Sequence, residues 1–218
     1  NVTGAGYVFL QHNMLTNSVL FMYKYCFSKL KFALFQNLDD LNILRNQGVF
    51  IGNTQLVNVP GDGVNLEQFS YVGYNNHNNS NMVFLYIGRL LWDKGIGELI
   101  EAFRLVKSEY PGTQLKFIGN YFLANPSAIK PEQMKKWQDE LGIEYLGMVD
   151  NVSEIIGMCD CVVLPSYREG MPRAILEGSS MGKPVITADT IGCKDTVEDN
   201  ITGFLCKVKD GNDLADKM

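Results

Sequence analysis

Histidine is scarce in this 218-residue sequence: only His12 and His77 occur, which argues against a multi-histidine metal centre. Cysteine is sparse and scattered. The five residues Cys26, Cys159, Cys161, Cys193 and Cys206 form no C-x-x-C pair, which argues against a zinc site or a disulfide framework. Cys159 and Cys161 read as small apolar residues in or just before a buried strand, and the reducing cytosol is the natural compartment. No D-x-D pair suited to a metal ion stands out. Basic charge is in deficit too. A net charge of −5 supplies no general basic face for displacing counterions, so nucleic acid is not an expected partner. A small local pocket for a phosphate is compatible with that balance.

What the sequence does have is the apolar content of a folded protein, 46% hydrophobic against 20% charged residues. Its length suits one large domain or about one and a half ordinary ones. The chain opens on Asn1-Val2-Thr3-Gly4, without an initiator methionine or a signal-peptide pattern, and closes at Lys217-Met218 in what reads as the start of a helix. Both ends are expected to be cuts through a larger protein.

After the glycine loop Thr3-Gly4-Ala5-Gly6, residues Asn13 to Lys29 carry Leu15, Val19, Leu20, Met22, Tyr23, Cys26 and Phe27 at helical spacing. With Lys24, Lys29 and Lys31 nearby, two readings fit: a helix packed on its own sheet, and an amphipathic helix facing a membrane. Phe32 to Phe35 predicts a strand, Asp39 to Gln47 a helix closed by Gly48, and Gln55 to Val59 another strand. Residues Tyr71 to Asn81, rich in asparagine, predict a linker. Strands and helices then alternate. Strands are expected at Met82–Ile87, Leu115–Ile118, Glu144–Leu146, Cys161–Leu164 and Pro184–Ala188. Helices are expected at Gly95–Tyr110, Pro131–Leu141, Val152–Met158 and Pro172–Met181. Short apolar strands in repeated βα units imply a parallel sheet covered on both faces, with ligands at the carboxyl ends of the strands. No G-x-G-x-x-G follows the first strand of this unit, which disfavours a Rossmann oxidoreductase.

Two of those strand ends carry chemistry. The first runs Gly88-Arg89-Leu90-Leu91-Trp92-Asp93-Lys94-Gly95. Gly88 allows close backbone approach, Arg89 and Lys94 place two cations at the mouth of the sheet, and the following helix N-terminus adds oriented N–H groups. This combination suits a diphosphate, with Arg forking onto two oxygens and Lys acting as a mobile point charge. The second end runs from Pro165 through Glu169-Gly170-Met171-Pro172 to Glu177. Pro172 suits the first turn of a helix, which leaves N–H groups around Gly170 and Met171 facing the strand end. Glu177 then lies about 7–8 Å along the axis from Pro172, too far from Glu169 to share a proton easily, but well placed to hold another part of a long ligand. The plainer reading of Glu177 is an i,i+4 surface pair with Arg173.

The stretch Ser166-Tyr167-Arg168-Glu169-Gly170-Met171-Pro172 through Glu177 resembles the E-x7-E signature of retaining GT-B glycosyltransferases, particularly family 4. Gly88-Arg89 with Lys94-Gly95 resembles their diphosphate motif, and Pro60-Gly61-Asp62-Gly63-Val64-Asn65 their interdomain segment. Ile191-Gly192-Cys193-Lys194, Val197-Glu198-Asp199 and Thr202-Gly203-Phe204-Leu205 resemble a version common in bacterial enzymes of polysaccharide and lipid-linked glycan synthesis.

The resemblance implies an α/β, GT-B-type fold of two Rossmann-like domains. Residues 1–70 would be part of the N-terminal, acceptor-side domain, 71–81 the linker, and 82–218 a nucleotide-sugar-binding domain truncated at its end. It implies a hexose or N-acetylhexosamine transferred from a nucleotide-diphosphate sugar, with a UDP-sugar the expected donor, to a glycan or lipid-linked glycan, with no metal or other cofactor. Arg89 and Lys94 would neutralise the diphosphate and stabilise the departing nucleotide, and Glu169 would contact the transferred sugar. Gly88, Gly170, Met171 and Glu177 complete the implied donor site, Glu177 accepting bonds from the ribose hydroxyls. The setting would be cytoplasmic, at most peripheral to the inner membrane face.

Two departures stand out. Many relatives carry a histidine near the transferred sugar where this chain has Thr3-Gly4-Ala5-Gly6, and Lys194 stands where the subgroup often has arginine. The former favours a lipid-linked acceptor. The alternatives are a non-catalytic nucleotide-sugar-binding module and a sugar-nucleotide epimerase of the same fold, and the fragment is not expected to complete transfer alone.

Overall fold

A computed structural model describes residues 14–50, 53–71, 73 and 81–218. The glycine loop at residues 3–6, His12, His77 and most of the expected linker lie outside those residues. The first unit holds helix α1 (Met14–Phe27), strand β1 (Phe32–Phe35), helix α2 (Leu38–Asn46) and strand β2 (Gln55–Asn58). β1 and β2 pair in parallel. Phe27, Ala33, Phe35, Leu41, Leu44 and Val49 form a small core, with Leu20, Tyr23 and Phe50 packed against it. Helix α1 therefore packs on its own sheet, while Phe21, Met22 and Tyr25 lie on its outer face. Among the described residues no helix is long and apolar enough to cross a membrane.

The second unit follows the alternation expected from its apolar runs. Strands β3 (Val83–Ile87), β4 (Gln114–Ile118), β5 (Glu144–Tyr145), β6 (Cys161–Leu164), β7 (Val185–Ala188) and β8 (Gly203–Cys206) form a six-stranded sheet. Every pairing is parallel. Helices α3 (Ile96–Glu109), α4 (Pro131–Leu141), α5 (Val152–Gly157), α6 (Arg173–Ser180) and α7 (Gly211–Lys217) connect or flank the strands. The expected elements match to within a residue or so at their ends. Pro172 is the N-cap of α6 rather than a residue of its first turn.

Burial explains the pattern. All four residues of β6 and all four of β7 are buried, so these central strands carry no polar alternation. On α3, Ile96, Leu99, Ile100, Phe103 and Val106 recur at three- and four-residue spacing and form the buried stripe. Phe69 joins this larger core, and its carbonyl accepts a hydrogen bond from Ser180 Oγ at 2.7 Å.

The strand order is β5-β4-β3-β6-β7-β8. From β3 the chain steps outward to β4 and β5, then returns to lay β6 against the other side of β3. The two neighbours β3 and β6 thus send their connections in opposite directions. Such a switch point opens a crevice at the carboxyl ends, where ligands of open parallel sheets bind. The two segments singled out in the sequence leave these two strands.

Candidate functional site

Between the carboxyl ends of β3 and β6 lies a cleft of about 690 Å³, lined by Ile87, Gly88, Arg89, Lys94, Leu164, Glu169, Pro172, Arg173, Ala174 and Glu177. This volume falls within the usual range for small-ligand sites, roughly 300–1,000 Å³. Five expected donor-site residues meet here: Gly88, Arg89, Lys94, Glu169 and Glu177. Gly170 and Met171 do not line it. Their loop turns toward the first unit, where Gly170 O accepts a hydrogen bond from Asn37 Nδ2 at 2.9 Å. A Cβ placed on Gly61 would stand 2.6 Å from Met171 Cγ, so the backbone at Gly61 passes tightly over that side chain.

The turn after β3 is fixed from below. Tyr86 is fully buried, and its hydroxyl donates to Arg89 O at 2.7 Å. Burial pushes its phenol well above the ordinary range, which preserves that donor. Arg89 is exposed, with its guanidinium 5.6 Å from the Phe122 ring centroid. Among the described residues it has no carboxylate partner, so its fork is available to an anion.

Lys94 departs from the sequence expectation of a mobile charge at the mouth. A 3₁₀ turn, Trp92–Lys94, followed by Gly95 at φ 70°, folds it inward until only 6% is exposed. Gly95 is required there on two counts: its positive φ, and the 2.0 Å that would separate a Cβ from Pro165 O. Lys94 Nζ lies 2.6 Å from Glu169 Oε1. An ammonium so buried needs a counter-charge, and Glu169 supplies it.

Backbone bonds fix Glu169 in turn. Its N–H donates to Ile191 O at 3.1 Å, and the preceding Tyr167 N–H donates to Asp93 O at 3.0 Å. Ser127 Oγ donates to Asp93 Oδ1 at 3.2 Å, so the loops after β3, β4 and β6 are tied together around Asp93. Gly192, at φ 80°, sits so close that a Cβ would stand 2.2 Å from Glu169 O.

Glu177 is 7% exposed, and its Oε1 accepts from Arg173 Nη2 at 3.0 Å. The ordinary i,i+4 pair expected from the sequence is therefore present, but it is lopsided, because Arg173 is largely exposed. Burial raises the carboxyl above its usual range, and the Arg173 charge partly offsets that rise. Among the described residues the backbone N–H groups of Gly170 and Met171 donate to no protein acceptor. The cations Arg89, Lys94 and Arg173 and the carboxylates Glu169 and Glu177 on one cleft can grip an elongated anionic ligand rich in hydroxyls.

Sequence reasoning gave no role to Asn37, Asp40 or Arg168. Arg168 Nη2 forms an ion pair with Asp40 Oδ1, and Lys194 Nζ pairs with Asp39 at 2.8 Å. The only available signal was the Asn37-x-x-Asp40 spacing of an N-cap, which the structure shows as an Asp40 N–H bond to Asn37 Oδ1 at 2.7 Å.

Similarity to known proteins agrees with this geometry. The chain is 28% identical, over its full length and 59% of the other protein, to an N,N'-diacetylbacillosaminyl-diphospho-undecaprenol alpha-1,3-N-acetylgalactosaminyltransferase of Campylobacter jejuni. It is 29% identical, over 64% of its length and 36% of the other, to the capsular polysaccharide biosynthesis glycosyltransferase CapM of Staphylococcus aureus. The chain thus spans less than two thirds of these curated relatives. Among solved structures, HepE of Anabaena in complex with UDP-glucose superposes with a TM-score of 0.78 at 19% identity, covering 98% of this chain and 59% of that one. Sucrose-phosphate synthase of Thermosynechococcus elongatus gives 0.75 at 24% identity, covering 98% and 53%. These structural likenesses establish the α/β, GT-B-type fold. The family described as Glycosyl transferases group 1 matches residues 71–218, which include the whole six-stranded sheet and its cleft. On that match the chain belongs to the group 1 glycosyl transferases.

Proposed function

We propose that this chain is the donor-binding part of a retaining glycosyltransferase. It would move a hexose or N-acetylhexosamine from a UDP-sugar to a glycan or lipid-linked glycan in polysaccharide biosynthesis. One observation carries the reading: Arg89, Lys94, Glu169 and Glu177 line a single cleft at the β3/β6 switch point. The names of the Campylobacter and Staphylococcus relatives support the acceptor class, and the UDP-glucose complex of the Anabaena protein supports the donor.

As the bond from the anomeric carbon to the diphosphate breaks, negative charge grows on the leaving nucleotide. Arg89 and Lys94 meet that charge already oriented, so they favour the transition state over the ground state. Glu177 accepts from the ribose hydroxyls and Glu169 from the transferred sugar. With two side-chain cations serving the diphosphate, the proposal requires no metal ion. The five cysteines are free thiols, four of them buried, which suits a reducing, cytoplasmic setting.

Calorimetric titration of UDP and UDP-sugars in the presence of EDTA tests the donor site. Wild type should bind. Arg89→Ala should weaken UDP binding about tenfold, the lower end for a charge-assisted bond. Affinity untouched by Arg89→Ala would remove the diphosphate assignment, and affinity abolished by EDTA the metal-free part. Retention is tested by NMR of the product formed by an enzyme containing this chain: the transferred sugar should keep its donor anomeric configuration, and an inverted product would refute it.

A further inference from the structure

Glu169 stands in a loop rather than in a strand or helix, yet a group that contacts a reacting sugar must be held to within about half an ångström. Its own unit supplies two restraints, the N–H bond to Ile191 O and the ion pair with Lys94. The other restraints come from the first unit. Arg168, on one side of Glu169, pairs with Asp40, and Gly170, on the other, accepts from Asn37 Nδ2. Lys194, three residues beyond the carbonyl that holds the Glu169 N–H, pairs with Asp39. All three acidic or amide partners lie at the N-cap and first turn of α2.

The Lys194–Asp39 pair lies at the surface, but the Asn37 and Asp40 contacts do not. Asn37 and Asp40 are each 2% exposed, and the Arg168 side chain is 10% exposed. Arg168 Nε is buried without an acceptor among the described residues, so the guanidinium depends on its Asp40 contact. Asn37 serves three times: Oδ1 caps α2, Nδ2 reaches across to Gly170 O, and Nδ2 also donates to Asp40 Oδ2 at 3.2 Å, so the two residues act together. A buried bond of this kind fixes geometry, because leaving either partner unpaired is costly.

Building on the reading of Glu169 as the sugar-contacting group, we infer that the first turn of α2 positions it. Asn37 and Asp40 grip the residues on either side of Glu169, so the acceptor-side unit sets the placement of the donor sugar. Neither residue touches the donor; both are positioning residues.

The test compares UDP with UDP-glucose and UDP-N-acetylglucosamine by calorimetry on this chain. UDP engages Arg89 and Glu177 but lacks the sugar that Glu169 would hold. Asp40→Asn should leave the UDP dissociation constant within about twofold of wild type while weakening the better-bound UDP-sugar about tenfold. Asp40→Glu should recover part of that loss. In a Glu169→Gln background, Asp40→Asn should have no further effect on the ratio of the two constants. Asn37→Ser keeps a capping hydroxyl but is too short to reach Gly170 O, and should shift the ratio in the same direction by about threefold. It covers the case in which Asp40→Asn does not fold. Equal weakening of UDP and UDP-sugar in step with a lowered melting temperature would reduce the contacts to a structural role. An unchanged ratio in both variants would also overturn the inference. Wild-type protein that binds neither ligand would instead remove the donor site itself, and the positioning role with it.

Discussion

Lys94→Ala is expected to cut sugar transfer by about 10²- to 10³-fold, the usual loss when one preorganised group at a developing charge is removed. The measurement is single-turnover transfer at saturating UDP-sugar in an enzyme containing this chain. Stability should fall as well, because Glu169 loses the cation 2.6 Å away and keeps its place in the cleft wall. Stranding one member of a buried pair costs about 3 kcal/mol where water is excluded. Glu169 is 19% exposed on an open cleft, so about half that value is the better expectation. For a chain of this size it corresponds to a drop of roughly 3–6 °C in melting temperature. The double variant Lys94→Ala with Glu169→Gln separates the two effects. It removes both charges, so the melting temperature should return most of the way while transfer stays low. Because Glu169 is itself the sugar contact, UDP affinity rather than transfer reads the phosphate role there: if stability and UDP affinity recover together, Lys94 is a structural counter-ion and its phosphate role is wrong. Full transfer in the single variant would sink that role directly.

The part of this site written in the sequence is the part set by short-range rules. Continuous apolar runs such as Val83–Ile87 and Cys161–Leu164 announced buried parallel strands, and the residues leaving them fell at the switch point. Strand β8 is not legible as a strand, because it is four residues long, begins at a glycine and exposes Phe204 at the sheet edge. A run so short gives no usable period. The inward turn of Lys94 was hidden for a different reason. It depends on Gly95 at positive φ packing beneath Pro165 O, seventy residues away in sequence. The Asp40–Arg168 pair spans 128 residues, and no local pattern encodes such a contact. Glu177 shows both sides of this division. Its spacing from Arg173 was legible, whereas its burial was decided by how α6 packs.

That burial should make the strength of the Glu177 donor contact titrate visibly. Glu177→Gln is expected to weaken UDP-glucose binding about 10- to 100-fold near neutral pH, since hydrogen bonds to a charged acceptor contribute about 1.5–3 kcal/mol. Wild-type affinity should itself decline as the solution is acidified. Burial raises the carboxyl, so the ionised acceptor is lost at a higher pH than for an ordinary glutamate, whose value is about 4.3. Arg173 opposes that rise, so Arg173→Ala should move the decline to still higher pH. UDP-glucose is the right probe because its diphosphate is a diester. Free UDP carries a terminal phosphate that titrates near pH 6 and would mask the effect. Stability should run the opposite way. A carboxyl raised in the folded state favours folding while protonated, and that contribution is lost as pH rises from the unfolded value through the folded one. Glu177→Gln should therefore be at least as stable as wild type at neutral pH, and its melting temperature should lose part of the wild-type decline across that window. Weaker binding together with undiminished stability is the signature of a carboxylate retained for its ligand. A variant that binds as wild type, or that unfolds more readily at neutral pH, would return Glu177 to the plain role of a surface partner for Arg173.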